Sequence, residues 1–173
     1  MAELRRQSPL EHRAQDLARI AGITAGAVRI TEMSLLSQTD IRTGDAVLLG
    51  LPTSPNTWED VHNADALWLG PNEWLVVSAA DAESNADWER AGSVVDVSAN
   101  RAVLDVNGRG TRDLLARGCS LDLHPSKWAS GACAQTNLAK APVILQQRGE
   151  TTRIFVRPSF ADYLVEWFLA ACG

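Results

Sequence analysis

Apolar positions along this chain recur with two different periods, and the change of period marks its elements. From Ser8, the residues Leu10, Ala14, Leu17, Ala18 and Ala21 return every three or four positions on a segment otherwise rich in Arg, Glu, Gln and Asp, the spacing of a helix with one thin apolar face. Ser8-Pro9-Leu10-Glu11 predicts its start: a capping serine, a proline at the first helical position and a glutamate three residues after the cap. Gly22 is expected to end it. So thin a stripe is stable only when docked, either on the rest of this chain or on another one.

Beyond Gly22 the period shortens. Val28, Ile30, Met33, Leu35 and Leu36 predict one or two strands up to Gln38, and the run Ala46-Val47-Leu48-Leu49 after Arg42-Thr43-Gly44-Asp45 fits either a helical turn or a strand. Leu51 to Trp58 contains Pro52 and Pro55 and predicts a loop with an anchored tryptophan. Ala66-Leu67-Trp68-Leu69 and Glu73-Trp74-Leu75-Val76-Val77 flank Gly70-Pro71-Asn72, the signature of a hairpin. Ala80 to Ala91 predicts a short helix anchored by Trp88.

Strands are predicted at Val94 to Ser98 and Ala102 to Val106, then an Asn107-Gly108 turn, a helix through Asp113-Leu114-Leu115, a strand pair and a closing helix from Ser159 to Ala171. In the closing helix Phe160, Tyr163, Leu164, Trp167, Phe168 and Ala171 follow at spacings of three and four, with Ser159 as the expected cap. Val165, Leu169 and Cys172 widen the stripe until only Asp162 and Glu166 carry charge. A helix apolar over most of its circumference is buried on more than one side, and the second side can be a partner chain.

The two halves share an order of elements. Leu51 and Leu121, Pro55 and Pro125, Trp58 and Trp128 all pair at one fixed separation, and each half runs strand, short helix, Leu-x-x-x-Pro-x-x-Trp loop, two strands, helix. The second half carries extra residues, Ala129 to Lys140, before its strand pair. The expected fold is α+β: residues 1–27 as an N-terminal helical segment, and 28–173 as a single domain of two duplicated β-α-β-β-α units, about 28–91 and 92–173, with pseudo-twofold character. One such unit alone exposes an apolar sheet face, so the two should share a core.

With 173 residues and 46% hydrophobic content, the chain can bury a core of ordinary size. A net charge of −5 argues against nucleic acid as a partner. No apolar run reaches the roughly 20 residues that span a bilayer, and Met1-Ala2-Glu3-Leu4-Arg5-Arg6 lacks the apolar stretch of a signal peptide, so a cytoplasmic protein without a membrane partner is expected. Three cysteines are expected as free thiols. Six tryptophans against three phenylalanines and one tyrosine is an unusual balance. Trp is enriched at interface centres, although the core is its commoner location.

Candidate chemistry reduces to structure at each motif. Gly108-Arg109-Gly110 before a helix suggests a phosphate loop, but Asp113 occupies the third glycine position and no Gly-Lys-Ser/Thr follows. Cys119, His124 and Cys133 match no zinc-module spacing, and Cys119 with His124 as a nucleophile and base has no support beyond nearness in sequence. Asp96 and Asp105 as an acid–base pair compete with turn capping or with pairing to an arginine such as Arg101. The expectation is no catalytic, cofactor-binding or metal-binding residue on this chain.

Longer motifs point to a family. Trp68-Leu69-Gly70-Pro71-Asn72-Glu73-Trp74-Leu75, Val95-Asp96-Val97-Ser98-Ala99-Asn100-Arg101, Gly118-Cys119-Ser120-Leu121-Asp122-Leu123-His124-Pro125, Cys133-Ala134-Gln135-Thr136 and Val156-Arg157-Pro158-Ser159-Phe160-Ala161-Asp162-Tyr163-Leu164 resemble the gamma-subunit family of heterotetrameric sarcosine oxidase. The opening Ser8-Pro9-Leu10-Glu11-His12-Arg13 is similar to it as well. The resemblance implies a shortened relative of the folate-binding domain of the glycine-cleavage aminomethyltransferase. It further implies an accessory place in an alpha, beta, gamma and delta complex that oxidatively demethylates sarcosine to glycine, hands the one-carbon unit to tetrahydrofolate and passes electrons through FAD and FMN to oxygen. In that family the flavins, NAD and the folate pocket belong to alpha and beta, and zinc to delta. The partners implied are alpha, beta and delta, chiefly alpha, with Trp74, Arg101, Trp128, Tyr163, Trp167 and Phe168 expected at the interface. The chain departs from the family pattern at Arg42 to Leu51 and Ala80 to Ala91, which are shorter, and no segment matches the folate-contacting acid. A free-standing folate-binding protein and a regulatory homodimer are the competing expectations.

Overall fold

The computed structural model describes residues 8–34, 36–80 and 88–173. Their elements, in order, are helix α1 (Ala14–Ile23), strands β1 (Arg29–Glu32), β2 (Leu36–Arg42), β3 (Trp58–Val61), β4 (Ala64–Gly70), β5 (Glu73–Ala79), β6 (Ser93–Asp96) and β7 (Ala102–Asn107), helix α2 (Thr111–Ala116), strands β8 (Cys133–Leu138), β9 (Ala141–Arg148) and β10 (Thr151–Val156), and helix α3 (Pro158–Cys172). The strands form two five-stranded sheets in the orders β3-β4-β5-β2-β6 and β1-β7-β10-β9-β8, antiparallel throughout.

Period-two burial dictates how the sheets stack. In β7, Ala102, Leu104 and Val106 join a core with α1, α2 and α3, whereas Val103 turns to the other sheet and meets Ile144 of β9, Phe155 of β10 and Leu67, Leu75 and Val77 of β4 and β5. The outer face of the first sheet places Ile41, Ala66, Trp74 and Val76 under Leu49 and Leu51, with Trp88 packed alongside. Helices thus cover one sheet, the two sheets face each other, and turns cover the other. The sheets also join at one corner, where Trp58 N donates to Gly131 O at 2.8 Å and Cys133 N to Asn56 O at 2.8 Å. Among the described residues no helix is long and apolar enough to cross a membrane.

Several expectations need correction. Ser8 does not cap an α-helix directly: its hydroxyl accepts from Leu10 N at 3.3 Å ahead of a 3-10 turn, Glu11–Arg13. Helix α1 then runs through Gly22 to Ile23 and stops where Ala25 and Gly26 take positive φ, with Gly26 N closing on Ala21 O at 2.7 Å. Its buried residues are Leu17 and Ile20, with Leu10 just before it, while Ala14 and Ala18 are exposed. The docking surface is this chain's own β1 and α3. Residues 46–50 form helical turns, Leu49 N reaching Ala46 O at 3.2 Å, not a strand. Two strands were not expected. β3 is only four residues long, with Glu59 and Asp60 exposed. β8 lies within the supposed extra segment; only its end residues Cys133 and Leu138 are buried, on opposite faces, while Gln135 and Asn137 are exposed, as suits an edge strand. Trp58 opens β3, whereas Trp128 sits in the turn ahead of β8, so these two tryptophans do not occupy equivalent places. Arg157, not Ser159, precedes the first turn of α3, with Pro158 at its start. Of the helix expected at 80–91, a 3-10 turn spans Trp88–Arg90; residues 81–87 lie outside the described ones.

Candidate interaction site

The closing helix presents three unlike faces. Ala161, Leu164, Val165 and Phe168 are buried against the sheet and α1, while Asp162 and Glu166 reach the 3-10 turn ahead of α1: Arg13 hydrogen-bonds Glu166, and His12 Nε2 lies 2.8 Å from Asp162 Oδ1. A third stripe faces outward. Tyr163 is 38% exposed, Trp167 is half-buried and Ala170 exposed, at the i, i+4, i+7 spacing of one helix face. Beside it lies a shallow recess of about 510 Å³ lined by Arg117, Gly118, Ser120, Ala139 and Lys140 together with Tyr163 and Trp167.

Gly118 makes that ridge possible. A Cβ there would sit 2.6 Å from Trp167 Cζ2 and 3.0 Å from Ala139 N, so only glycine lets the indole lie flat on the turn after α2. Trp167 also packs against Phe168 with ring centroids 5.2 Å apart, and Lys140 N donates to the Tyr163 hydroxyl at 3.3 Å. The result is a fixed aromatic ridge with two cationic side chains, Arg117 and Lys140, along its rim. Such a surface suits a partner that buries aromatic groups and supplies carboxylates.

Of the six residues expected at an interface, Trp74 (1% exposed), Trp128 (6%) and Phe168 (0%) are enclosed by the chain itself and offer no surface in this fold. Trp74 Nε1 donates to Pro52 O at 2.8 Å. Burial of Trp74 and Phe168 follows from their inward positions on β5 and α3, and Trp128 is buried from the turn ahead of β8. Tyr163 and Trp167 lie together on the α3 ridge. Arg101 is elsewhere, lining a cavity of about 390 Å³ at the junction of β1 and β2. Burial first, then neighbouring Arg157, lower its pKa from the ordinary guanidinium value, while Asp40 and Glu73 act the other way. Sequence reasoning missed Arg117, Gly118 and Lys140, which carry no periodic signal of their own, and Gln38 beside Arg101.

The other candidates are dispersed or occupied. Gly108 takes φ +110, and a Cβ there would meet Ala27 O at 2.4 Å; Gly110 N donates to the same carbonyl at 2.9 Å. The Gly-Arg-Gly turn therefore packs against the chain entering β1. Cys119 lies in the helix-side core and Cys133 between the sheets, while His124 Nδ1 pairs with Ser126 Oγ at 2.8 Å. Among the described residues no three His, Cys, Asp or Glu side chains come together as a metal site, and the three cysteines are unpaired. Burial pushes the Cys133 thiol up to about 11, partly offset by a hydrogen bond to Trp68 O, which suppresses the reactive thiolate.

Asp105 pairs with Arg153, not Arg101: Nε to Oδ1 is 2.7 Å and Nη2 to Oδ2 is 2.9 Å. Arg153 also lies 3.5 Å from Asp65, which accepts from Gln146 Nε2 at 3.0 Å and has Arg148 Nε at 3.4 Å. This ionic group fills part of the space between the sheets. Asp96 instead accepts from Ser98 N at 2.9 Å.

Comparison with known proteins agrees with the architecture. Residues 44–173 match the sarcosine oxidase, gamma subunit family. The chain is 34% identical to sarcosine oxidase subunit gamma of Corynebacterium sp. (strain P-1) over 96% of its own length and 89% of the relative's, and 33% identical to that of an Arthrobacter sp. at the same coverage. Its structure superposes with TM-score 0.83 and 31% identity on a chain of the heterotetrameric sarcosine oxidase from Corynebacterium sp. U-96 in complex with pyrrole 2-carboxylate, covering 96% of this chain and 94% of that one. The fold is shared with the glycine cleavage system aminomethyltransferase T from Bartonella henselae, at TM-score 0.61 and 14% identity, over 89% of this chain and 48% of the transferase. A match of this extent, on this pair of sheets, makes the chain a member of the sarcosine oxidase gamma subunit family.

Proposed function

We propose that this chain is an accessory subunit of a cytoplasmic sarcosine oxidase complex that oxidatively demethylates sarcosine to glycine. The observation that carries this is the family membership, with a relative of known structure that is itself a chain of a heterotetramer. The subunit contributes to assembly and stability, chiefly by binding the alpha chain. FAD, FMN, NAD and the tetrahydrofolate site belong to the other subunits, so no step of the reaction is routed through residues of this chain. The contact surface is the outward face of α3, centred on Tyr163 and Trp167, with Arg117 and Lys140 at its edge and Arg101, away from that face, as a separate polar contact.

The fold itself arises by duplication. Its support is the strand order: β2 with β5, β4 and β3 in one sheet corresponds to β7 with β10, β9 and β8 in the other, each with one further strand, β6 or β1, added at the edge.

Co-expression of this chain with the alpha, beta and delta chains from the same source tests the proposal. The expected outcome is a stoichiometric complex that Tyr163→Glu weakens at least tenfold while the variant's Tm stays within a few degrees of the parent. Full assembly and full sarcosine oxidation without this chain would overturn the accessory role. Unchanged assembly by Tyr163→Glu and Trp167→Lys would overturn the α3 surface.

A further inference from the structure

One end of the sandwich gathers charge from both sheets. In one, Phe155 pairs with Val103 and Val156 with Ala102, and one further step of that register brings Arg157, still extended at φ −61 and ψ 141, across from Arg101. Val103 and Phe155 point between the sheets, so the two arginines, two residues farther along, leave the ladder on that same side. The other sheet answers with Asp40 opposite Leu75 and Arg42 opposite Glu73, on the face where Leu75 meets the shared inner core.

Both of these carboxylates are taken. Arg42 Nε lies 3.3 Å from Asp40 Oδ1, and its Nη2 lies 3.1 Å from Glu73 Oε1. Arg157 Nη1 donates to Asn100 Oδ1 at 3.4 Å, and neither Arg157 nor Arg101 forms an ion pair among the described residues. Like charges set opposite each other on a ladder are destabilising. Burial first, and then Arg157, disfavour the charged form of Arg101, which Asp40 and Glu73 favour without pairing with it. Helix α3 adds to the excess, because it begins at Pro158, directly after Arg157, and has no acidic residue in its first turn to offset its positive end.

Two neighbouring guanidiniums without an acid make a place for a carboxylate, which each can meet through paired N–H donors. The surroundings indicate what carries it. Val95, opposite Asp40 on the β2–β6 ladder, is 50% exposed and Val94 beside it 43%, on a strand at the edge of its sheet. A free anion gains nothing from exposed valines, whereas a protein surface covers them.

We propose that Arg101 and Arg157 together hold an aspartate or glutamate side chain of a partner subunit, whose apolar groups cover Val95. This contact presupposes the accessory role and names the partner group that meets Arg101.

Titration of the purified chain against the other co-expressed subunits, at about 50 and 300 mM salt, provides the test. Arg101→Gln and Arg157→Gln should each weaken assembly about tenfold or more at low salt and flatten its salt dependence, with Arg101→Lys recovering part of the loss. The Tm of the isolated chain should stay the same or rise in both glutamine variants, because each relieves the repulsion between the arginines. A fall of more than a few degrees means that the pair serves this chain's own fold and overturns the proposal. Assembly of the variants equal to the parent's, with unchanged salt dependence, overturns it as well. Failure of the parent chain itself to assemble overturns the accessory role and this contact with it. Inorganic phosphate is the probe for a free anion: binding to the assembled complex with Kd of about 1 mM or tighter, lost in Arg101→Gln, would show the pair open in the complex and rule out the partner carboxylate.

Discussion

Arg153 shows what a single inward-pointing side chain can decide. At 5% exposure it holds Asp105 through two hydrogen bonds and stands beside Asp65, so its removal leaves two carboxylates in the space between the sheets without their cation. Breaking a buried pair from one side typically costs about 3–5 kcal/mol. Arg153→Met should lower stability by about that much in urea titrations, and a loss under about 1 kcal/mol would show that the group is solvated in solution. Cys133 makes a different prediction. Between its ordinary value of 9.0 and about 11 the unfolded thiol has lost its proton while the buried one keeps it. The unfolded state then binds fewer protons, so stability falls as pH rises through this window. Cys133→Ala should flatten that slope between pH 9 and 11, measured by denaturation at several pH values. None of this was legible in the sequence, because Gln146 and Arg153 sit in otherwise strand-like runs whose opposite face is unspecified until the second sheet arrives.

At the scale of elements, the helices were legible in outline and misjudged at their ends and faces. Periodicity located α1 and α3, but a stripe counted on apolar residues chose Ala14 and Ala18 over Ile20. Ile20 is fully buried in the helix-side core, so Ile20→Ala should cost about 2–5 kcal/mol, whereas Ala18→Ser should change stability by less than about 0.5 kcal/mol; equal effects would mean that α1 docks differently. The turn at Gly108 is equally exacting. Adding a Cβ 2.4 Å from Ala27 O at φ +110 forces the backbone apart, so Gly108→Ala should depress Tm more than Gly131→Ala, where φ is also positive but no atom lies within 4 Å. β3 and β8 escaped because short, polar edge strands carry half a hydrophobic signal. They are strands because a neighbour supplies their hydrogen bonds.

Across the whole molecule, two of the four edge strands tie the halves together. β1 precedes the first group of strands but pairs with β7 of the second sheet, and β6 follows that group yet pairs with β2 of the first. Each half therefore lends the other an edge, and among the described residues the inner faces of the two sheets pack on each other. Fragments 1–87 and 88–173 should each lack cooperative unfolding by circular dichroism, and mixing them should restore it. A fragment that melts cooperatively alone would contradict the shared core.

The sequence by itself determined the period of α1, α3 and most strands, the hairpin around Gly70-Pro71-Asn72 and, through long ordered motifs, the family. These are local properties, set by residue spacing and turn chemistry. Which faces stay exposed was decided only by the tertiary structure. Trp74, Trp128 and Phe168 have the same interface-forming chemistry as Trp167, yet packing encloses the first three and leaves the last on a ridge over Gly118. Arg101 and Gln38, far apart along the chain, come to line one cavity because β2 and the loop before β7 meet there. Exposure is a relation between distant segments, and no window of sequence contains both of its terms.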